Sequence, residues 1–334
     1  MSARLDAEEG GTEGTARGSA AGVAPPVDWA ETRERSAMWV LRLMRWFALT
    51  AGRRLARLVL HPITLYFILT GSRARRESAR YLDRALGRPA RWGDVYRHVH
   101  TFAATVLDRA YLLQEHYERF ELRPSAIAFM DDALARGEGI FMIGAHMGSF
   151  EALRALGQQR GLRVAIVMYE NNARLINTAL AALAPKAALH TIALGRLDAM
   201  LTLRRWLDEG GIAGLLGDRT LPVSSGRSRT VALPFLGEPA RFSDGPFRLA
   251  AMLKRRVVFM CGLYHGGNRY ELRFSPLADF SGATAANRDA LVAEALARYV
   301  ATLETLCREA PYNWFNFFDF WAGGAEAGSA ADAA

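Results

Sequence analysis

The densest chemistry in the chain lies in nine consecutive residues, Ile143-Gly144-Ala145-His146-Met147-Gly148-Ser149-Phe150-Glu151. A lone histidine closes an apolar run, glycines lie two positions to either side, and a carboxylate follows five positions later. Histidine titrates nearest neutrality, so a positioned imidazole is a ready proton acceptor for a hydroxyl. Residues five apart on one helix are about 140° out of register, so His146 and Glu151 meet only if His146 precedes the helix and Glu151 lies in its first turn. Gly144 and Gly148 permit that tight turn. Glu151 then accepts the Nδ1 proton and leaves Nε2 as the base. The plainer alternative is a helix-start pair, with His146 capping and Glu151 answering the positive end of the helix dipole. Ser149 does not make this a hydrolase: the Gly-x-Ser-x-Gly elbow is lacking and no Asp and His follow in the required order, so Ser149 reads as an N-cap.

Asp218 and Arg219 follow a second apolar run. Asp218 can position an acceptor or Arg219, against the simpler role of a turn residue. Arg227, Arg229 and Arg241 flank the loop Pro234-Phe235-Leu236-Gly237 and suit bidentate grip of a phosphate, against the alternative of solvated loop charge. The other six histidines have no metal-ligand spacing, and Cys261 and Cys307 are too few for a disulfide framework or zinc site. No metal and no bound cofactor are expected.

These residues need a rigid frame. Short apolar runs at 139–145, 163–169, 189–194, 211–217 and 230–235 alternate with amphipathic stretches at 150–160, 173–184, 196–209 and 244–254. That alternation predicts βαβ units around a sheet buried on both faces. Residues 257–264 and 270–274, joined by Gly266-Gly267-Asn268, read as a hairpin extending the sheet, and a last helix is expected over 288–308.

The 334-residue chain carries a net charge of +8, unevenly spread. Between Arg33 and Arg97 stand fifteen Arg against Glu34, Glu77, Asp83 and Asp94, interleaved with Trp39, Trp46, Phe47, Tyr66 and Phe67. Arg threaded through long apolar segments favours an anionic membrane surface over nucleic acid. The uncharged stretch 58–72 is fifteen residues long, between an interfacial insertion and a span. The expected organisation is a disordered tail at 1–27, membrane-associated helices at 28–72 with a break at His61-Pro62, a helical subdomain at 73–124, an α/β domain at 125–322 and a second disordered tail at 323–334.

The segment Ile-Gly-Ala-His-Met-Gly-Ser-Phe-Glu resembles the H-x(4)-D/E motif of the glycerolipid and late lipid A acyltransferases. Gly217-Asp218-Arg219 is similar to the Asp-Gln that follows a strand in that branch, and Leu233-Pro234-Phe235-Leu236-Gly237 with Gly245 downstream is similar to its P-F-F-G block. The resemblance runs from about residue 29 to 321. It implies a glycerolipid-acyltransferase-like mixed sheet flanked by helices, with N-terminal membrane-associated helices. It also implies transfer of a fatty acyl group from acyl carrier protein or coenzyme A to a hydroxyl of a lipid or glycolipid, through the His146-Glu151 dyad and without a covalent acyl-enzyme. The cytoplasmic face of a bacterial inner membrane is the implied place. On this reading the three arginines face the phosphate of a phosphopantetheine arm or lipid headgroup, and Arg219 or main-chain amides near Gly148 stabilise the oxyanion. The lysophosphatidic-acid type is disfavoured because its F-P-E-G-T-R-S block is lacking. The run Tyr312 to Trp321 departs from the basic aromatic motif that typically ends lipid A acyltransferases, and is more similar to relatives that acylate other lipids or accompany polyene-pigment biosynthesis; core packing or membrane contact is its simplest role. From a different class, an inactive membrane scaffold or carrier-protein-binding partner is the competing function.

Overall fold

The apolar runs pair into one seven-stranded mixed sheet. The computed structural model describes residues 50–169, 190–195, 197–219 and 229–322. The strands are β1 (Glu121–Ser125), β2 (Ile140–Gly148), β3 (Val164–Tyr169), β4 (His190–Leu194), β5 (Ile212–Leu216), β6 (Thr230–Phe235), β7 (Glu238–Ser243), β8 (Arg256–Tyr264) and β9 (Arg269–Asp279). The main sheet has the order β1-β9-β8-β2-β5-β3-β4, and β6 and β7 form a separate antiparallel pair. Only the β8–β9 hairpin is antiparallel within the main sheet. The helices are α1 (Thr50–Thr70), α2 (Ser72–Leu86), α3 (Trp92–Leu112), α4 (Ala128–Ala135), α5 (Phe150–Gln159), α6 (Leu197–Asp208), α7 (Gly245–Met252) and α8 (Arg288–Glu309).

The strand β2 lies at the centre and is buried on both faces, which is why it reads as an unbroken apolar run rather than an alternating one. Its odd-numbered residues Phe141, Ile143, Ala145 and Met147 pack in one core with α2, α6, α7, α8 and the β6–β7 hairpin. Its even-numbered residues Ile140 and Met142 pack in the other with α1, α3, α4 and α5. The result is a sheet flanked by helices on both faces, as the alternation of runs implied. Every expected strand falls on a strand, although 230–235 forms β6 of the separate hairpin instead of joining the main sheet, and every expected helix of this region falls on a helix except 173–184, which lies outside the described residues.

Three features differ from expectation. First, α1 runs unbroken through Pro62. Ala56, Leu60, Thr64 and Ile68 form a buried seam, the His61 ring stacks 4.7 Å from that of His100, and His61 Nδ1 lies 2.6 Å from the Tyr96 hydroxyl. Arg53 adds a two-toothed ion pair of 2.8 Å to the buried Asp108 of α3. Packing of this kind outweighs the loss of one helix hydrogen bond at proline. The chain turns instead at Gly71, bending 97° into α2. Second, β1 is a strand although Glu121-Leu122-Arg123-Pro124-Ser125 is polar and contains proline. It lies at the sheet edge and pairs only with β9, a setting in which a strand proline is tolerated. Third, β2 continues three residues beyond the expected end, so His146 belongs to the strand.

Candidate active site

The geometry of the site follows from strand register. β2 and β5 are parallel neighbours with Gly144 opposite Leu216, so two residues further on His146 comes level with Asp218. Gly217 N–H donates to the Gly144 carbonyl at 2.9 Å and closes the strand ends together. The His146 main-chain N–H donates to Asp218 Oδ2 at 3.0 Å, and His146 Nδ1 lies 2.8 Å from Asp218 Oδ1. A carboxylate can only accept, so the ring carries its proton on Nδ1 and leaves the Nε2 lone pair free. The His146 side chain is 31% exposed, whereas that of Asp218 is 2% exposed. Burial pushes the Asp218 carboxyl upward, but the His146 ring and the hydrogen bonds it receives prevail and hold it below the ordinary carboxylate value.

The His146–Glu151 hydrogen bond expected from the motif is not formed. With His146 still in extended backbone and Glu151 in the first turn of α5, the carboxylate turns toward α3. There Oε1 lies 2.7 Å from Arg109 Nε, and Oε2 accepts a long 3.4 Å bond from Ser149 Oγ. Ser149 is the N-cap of α5, accepting the Ala152 N–H at 3.2 Å. The carboxylate hydrogen-bonded to the ring therefore sits 72 residues from the histidine rather than five. One sequence signal for it existed: the apolar runs 139–145 and 211–217 each end one residue before His146 and Asp218.

Gly148 makes the turn. Its φ of +65° is a conformation that side chains rarely adopt, and an added Cβ would lie 1.9 Å from the Gly262 carbonyl oxygen of β8. Gly148→Ala is expected to destabilise the protein by about 3 kcal/mol or more, read as a melting-temperature drop of roughly 5 °C or more. An unchanged melting temperature would mean that the strand end does not need this approach.

The C-terminal aromatic run closes the site from the other side, a role the sequence reading missed. The Gly148 N–H donates to the Asn313 carbonyl and the Phe315 N–H to the His146 carbonyl, both at 2.9 Å. Asn313 also ties to β8, accepting the Tyr264 N–H at 2.7 Å and donating to its carbonyl at 3.2 Å. Trp314, 1% exposed, donates its indole N–H to Asp218 Oδ2 at 3.0 Å.

This arrangement narrows the oxyanion donors. The Gly148 amide is committed to Asn313 and the Ser149 amide to the Gly262 carbonyl at 2.8 Å. Arg219, the exposed residue after Asp218, has its guanidinium 5.5 Å from the centre of the Phe318 ring, and no ion pair holds it among the described residues. Arg229 and Arg241 lie instead on the β6–β7 hairpin: Arg229 Nε is 3.9 Å from Asp244, and Arg241 donates to the Thr230 hydroxyl at 3.4 Å. Neither is joined to the His146–Asp218–Trp314 group, and Arg227 lies outside the described residues. Beneath α5 an apolar cleft lined by Phe150, Leu153, Met142, Met260 and Gly214 leaves about 30 Å³ of free space.

An imidazole held in this way by a buried carboxylate is chemically able to take a proton on its free nitrogen. Residues 37–322 match the family model described as bacterial lipid A biosynthesis acyltransferase. A comparison with curated protein sequences returns no match.

Proposed function

The chain belongs to the bacterial lipid A biosynthesis acyltransferase family, an acyltransferase family, and from that premise we propose that it transfers a fatty acyl group from a thioester to a hydroxyl of a lipid or glycolipid, with His146 as the base and Asp218 as its orienting acid. The observation that carries this reading is the His146–Asp218 pair at the carboxyl ends of β2 and β5, with Nδ1 engaged and Nε2 free. The acceptor hydroxyl attacks the thioester carbonyl while its proton passes to Nε2, and a carbon–oxygen bond forms. The tetrahedral oxyanion then collapses, the carbon–sulfur bond breaks, and the thiolate leaves with the proton from the imidazolium. Asp218 stabilises the imidazolium during this exchange. Arg219 supplies positive charge for the oxyanion or for a donor phosphate. The step needs no covalent acyl-enzyme.

Donor and place are inferred from the family, with charge and surface in support. Acyl carrier protein or an acyl coenzyme A is the donor, and the cytoplasmic face of a bacterial inner membrane is the setting. Among the described residues no single helix is long and apolar enough to cross a membrane, although α1 and α2 taken together across their bend have the composition of a span. Leu55, Leu58, Val59, Leu65, Tyr66 and Leu69 of α1 form an exposed stripe opposite the buried seam, with Arg54, Arg73 and Arg76 exposed nearby. An apolar stripe with flanking arginines suits insertion at headgroup depth. Leu58→Glu combined with Leu65→Glu is expected to weaken co-sedimentation with phosphatidylglycerol vesicles by about tenfold or more. Binding equal to that of the unsubstituted protein would sink this membrane contact.

The test of the reaction is an acyl-transfer assay with detergent-solubilised protein, labelled acyl carrier protein or acyl coenzyme A, and a total membrane-lipid extract. A labelled lipid product identifies both donor and acceptor. No product from either donor with folded, lipid-bound protein would overturn the reading.

A further inference from the structure

Trp314 is buried among aromatic rings, 4.9 Å from Tyr81, 5.4 Å from Phe235 and 5.0 Å from Phe320, and packing alone would explain a tryptophan there. Packing does not explain where its one polar atom goes. The indole N–H donates to Asp218 Oδ2, the same oxygen that accepts the His146 main-chain N–H. With Oδ1 on the imidazole, the carboxylate has three donors and no freedom to rotate.

The tryptophan is itself pinned. The ring of His98, wholly buried in α3, bridges α2 and the C-terminal run: Nε2 lies 2.8 Å from the Trp314 carbonyl and Nδ1 lies 2.8 Å from Ser78 Oγ. A carbonyl can only accept, so Nε2 carries the proton and Nδ1 accepts from the Ser78 hydroxyl. Burial, opposed by the bond to the Trp314 carbonyl, pushes His98 down to about 4, so the ring stays neutral near pH 7.

We propose that Trp314 is a positioning residue for the reaction, fixing the plane of the Asp218 carboxylate so that Oδ1 holds the His146 ring in one tautomer with Nε2 turned to the substrate hydroxyl. This rests on the reading of His146 and Asp218 given above. His98 and Ser78 extend the support into α2 and α3. Without the indole donor Oδ2 keeps a single N–H, and the carboxylate gains freedom to turn about its Cβ–Cγ bond and release Nδ1.

The test is Trp314→Phe in the full-length protein, with two readouts. The first is the split between kcat and KM: kcat is expected to fall about tenfold with KM for the donor within about twofold. The second is the ring-nitrogen chemical shifts of His146, followed by nuclear magnetic resonance on histidine-labelled protein and assigned with His146→Ala: the single Nδ1–H tautomer of the wild type is expected to give way to a mixture of the two tautomers. Should phenylalanine leave the protein unfolded, benzothienylalanine at position 314 keeps the ring shape and deletes only the N–H, and the same changes are expected. A folded variant with unchanged kcat and unchanged tautomer would overturn the proposal. The tautomer readout needs no turnover, so a wild type inactive with every donor would defeat the acyl-transfer reading and leave this readout standing.

Discussion

Alanine in place of His146 is expected to lower kcat/KM for acyl transfer by about a thousandfold or more, with the fold retained. The side chain is 31% exposed, and its one hydrogen bond among the described residues goes to Asp218, which keeps the His146 and Trp314 N–H donors after truncation. Little stability is therefore lost with the ring. The measurement is a steady-state acyl-transfer assay beside a thermal melt. Activity within tenfold of wild type at an unchanged melting temperature would remove His146 from the chemistry.

A second large effect is expected at Asp218→Asn, and its cause is tautomeric. Two N–H donors, from the His146 backbone and Trp314, converge on the Oδ2 position and hold the amide oxygen there. The amide NH2 then faces His146 Nδ1, which must accept rather than donate, and the ring proton moves to Nε2. The nitrogen needed as base is blocked, so a kcat loss of about a thousandfold is expected with little change in size or packing. Glu151→Gln should cost about tenfold or less, because Glu151 answers Arg109 and not the imidazole. Equal losses at the two positions, or a larger one at Glu151, would return the orienting role to Glu151 and require a rearranged site during turnover.

Local pattern revealed the frame and marked His146 as a candidate. The apolar runs mark the strands because β2, β5 and β8 are buried on both faces, and a doubly buried strand has no solvent side to break the run. His146 is visible because it ends such a run, and Ser149 because N-caps follow a local hydrogen bond. What local pattern did not reveal depends on partners far along the chain. Asp218 meets His146 through the pairing of parallel strands, and Trp314 reaches Asp218 across 96 residues. The motif spacing favoured Glu151 because it is near in sequence, but extended backbone at His146 turns the two side chains to different neighbours. Pro62 misled for a related reason: its penalty is local, while the seam from Ala56 to Ile68 that carries the helix through it is tertiary.

The hydrogen bond between His98 and the Trp314 carbonyl joins two positions that leave the ribosome far apart in time. Synthesis runs from the amino end, so the helices with their exposed apolar stripe emerge early, and His98 waits through 216 further positions for its carbonyl partner. During that interval Asp218 also emerges and waits for its third donor. A chain cut short ahead of Asn313 would lack the segment that seals Gly148 and donates to Asp218.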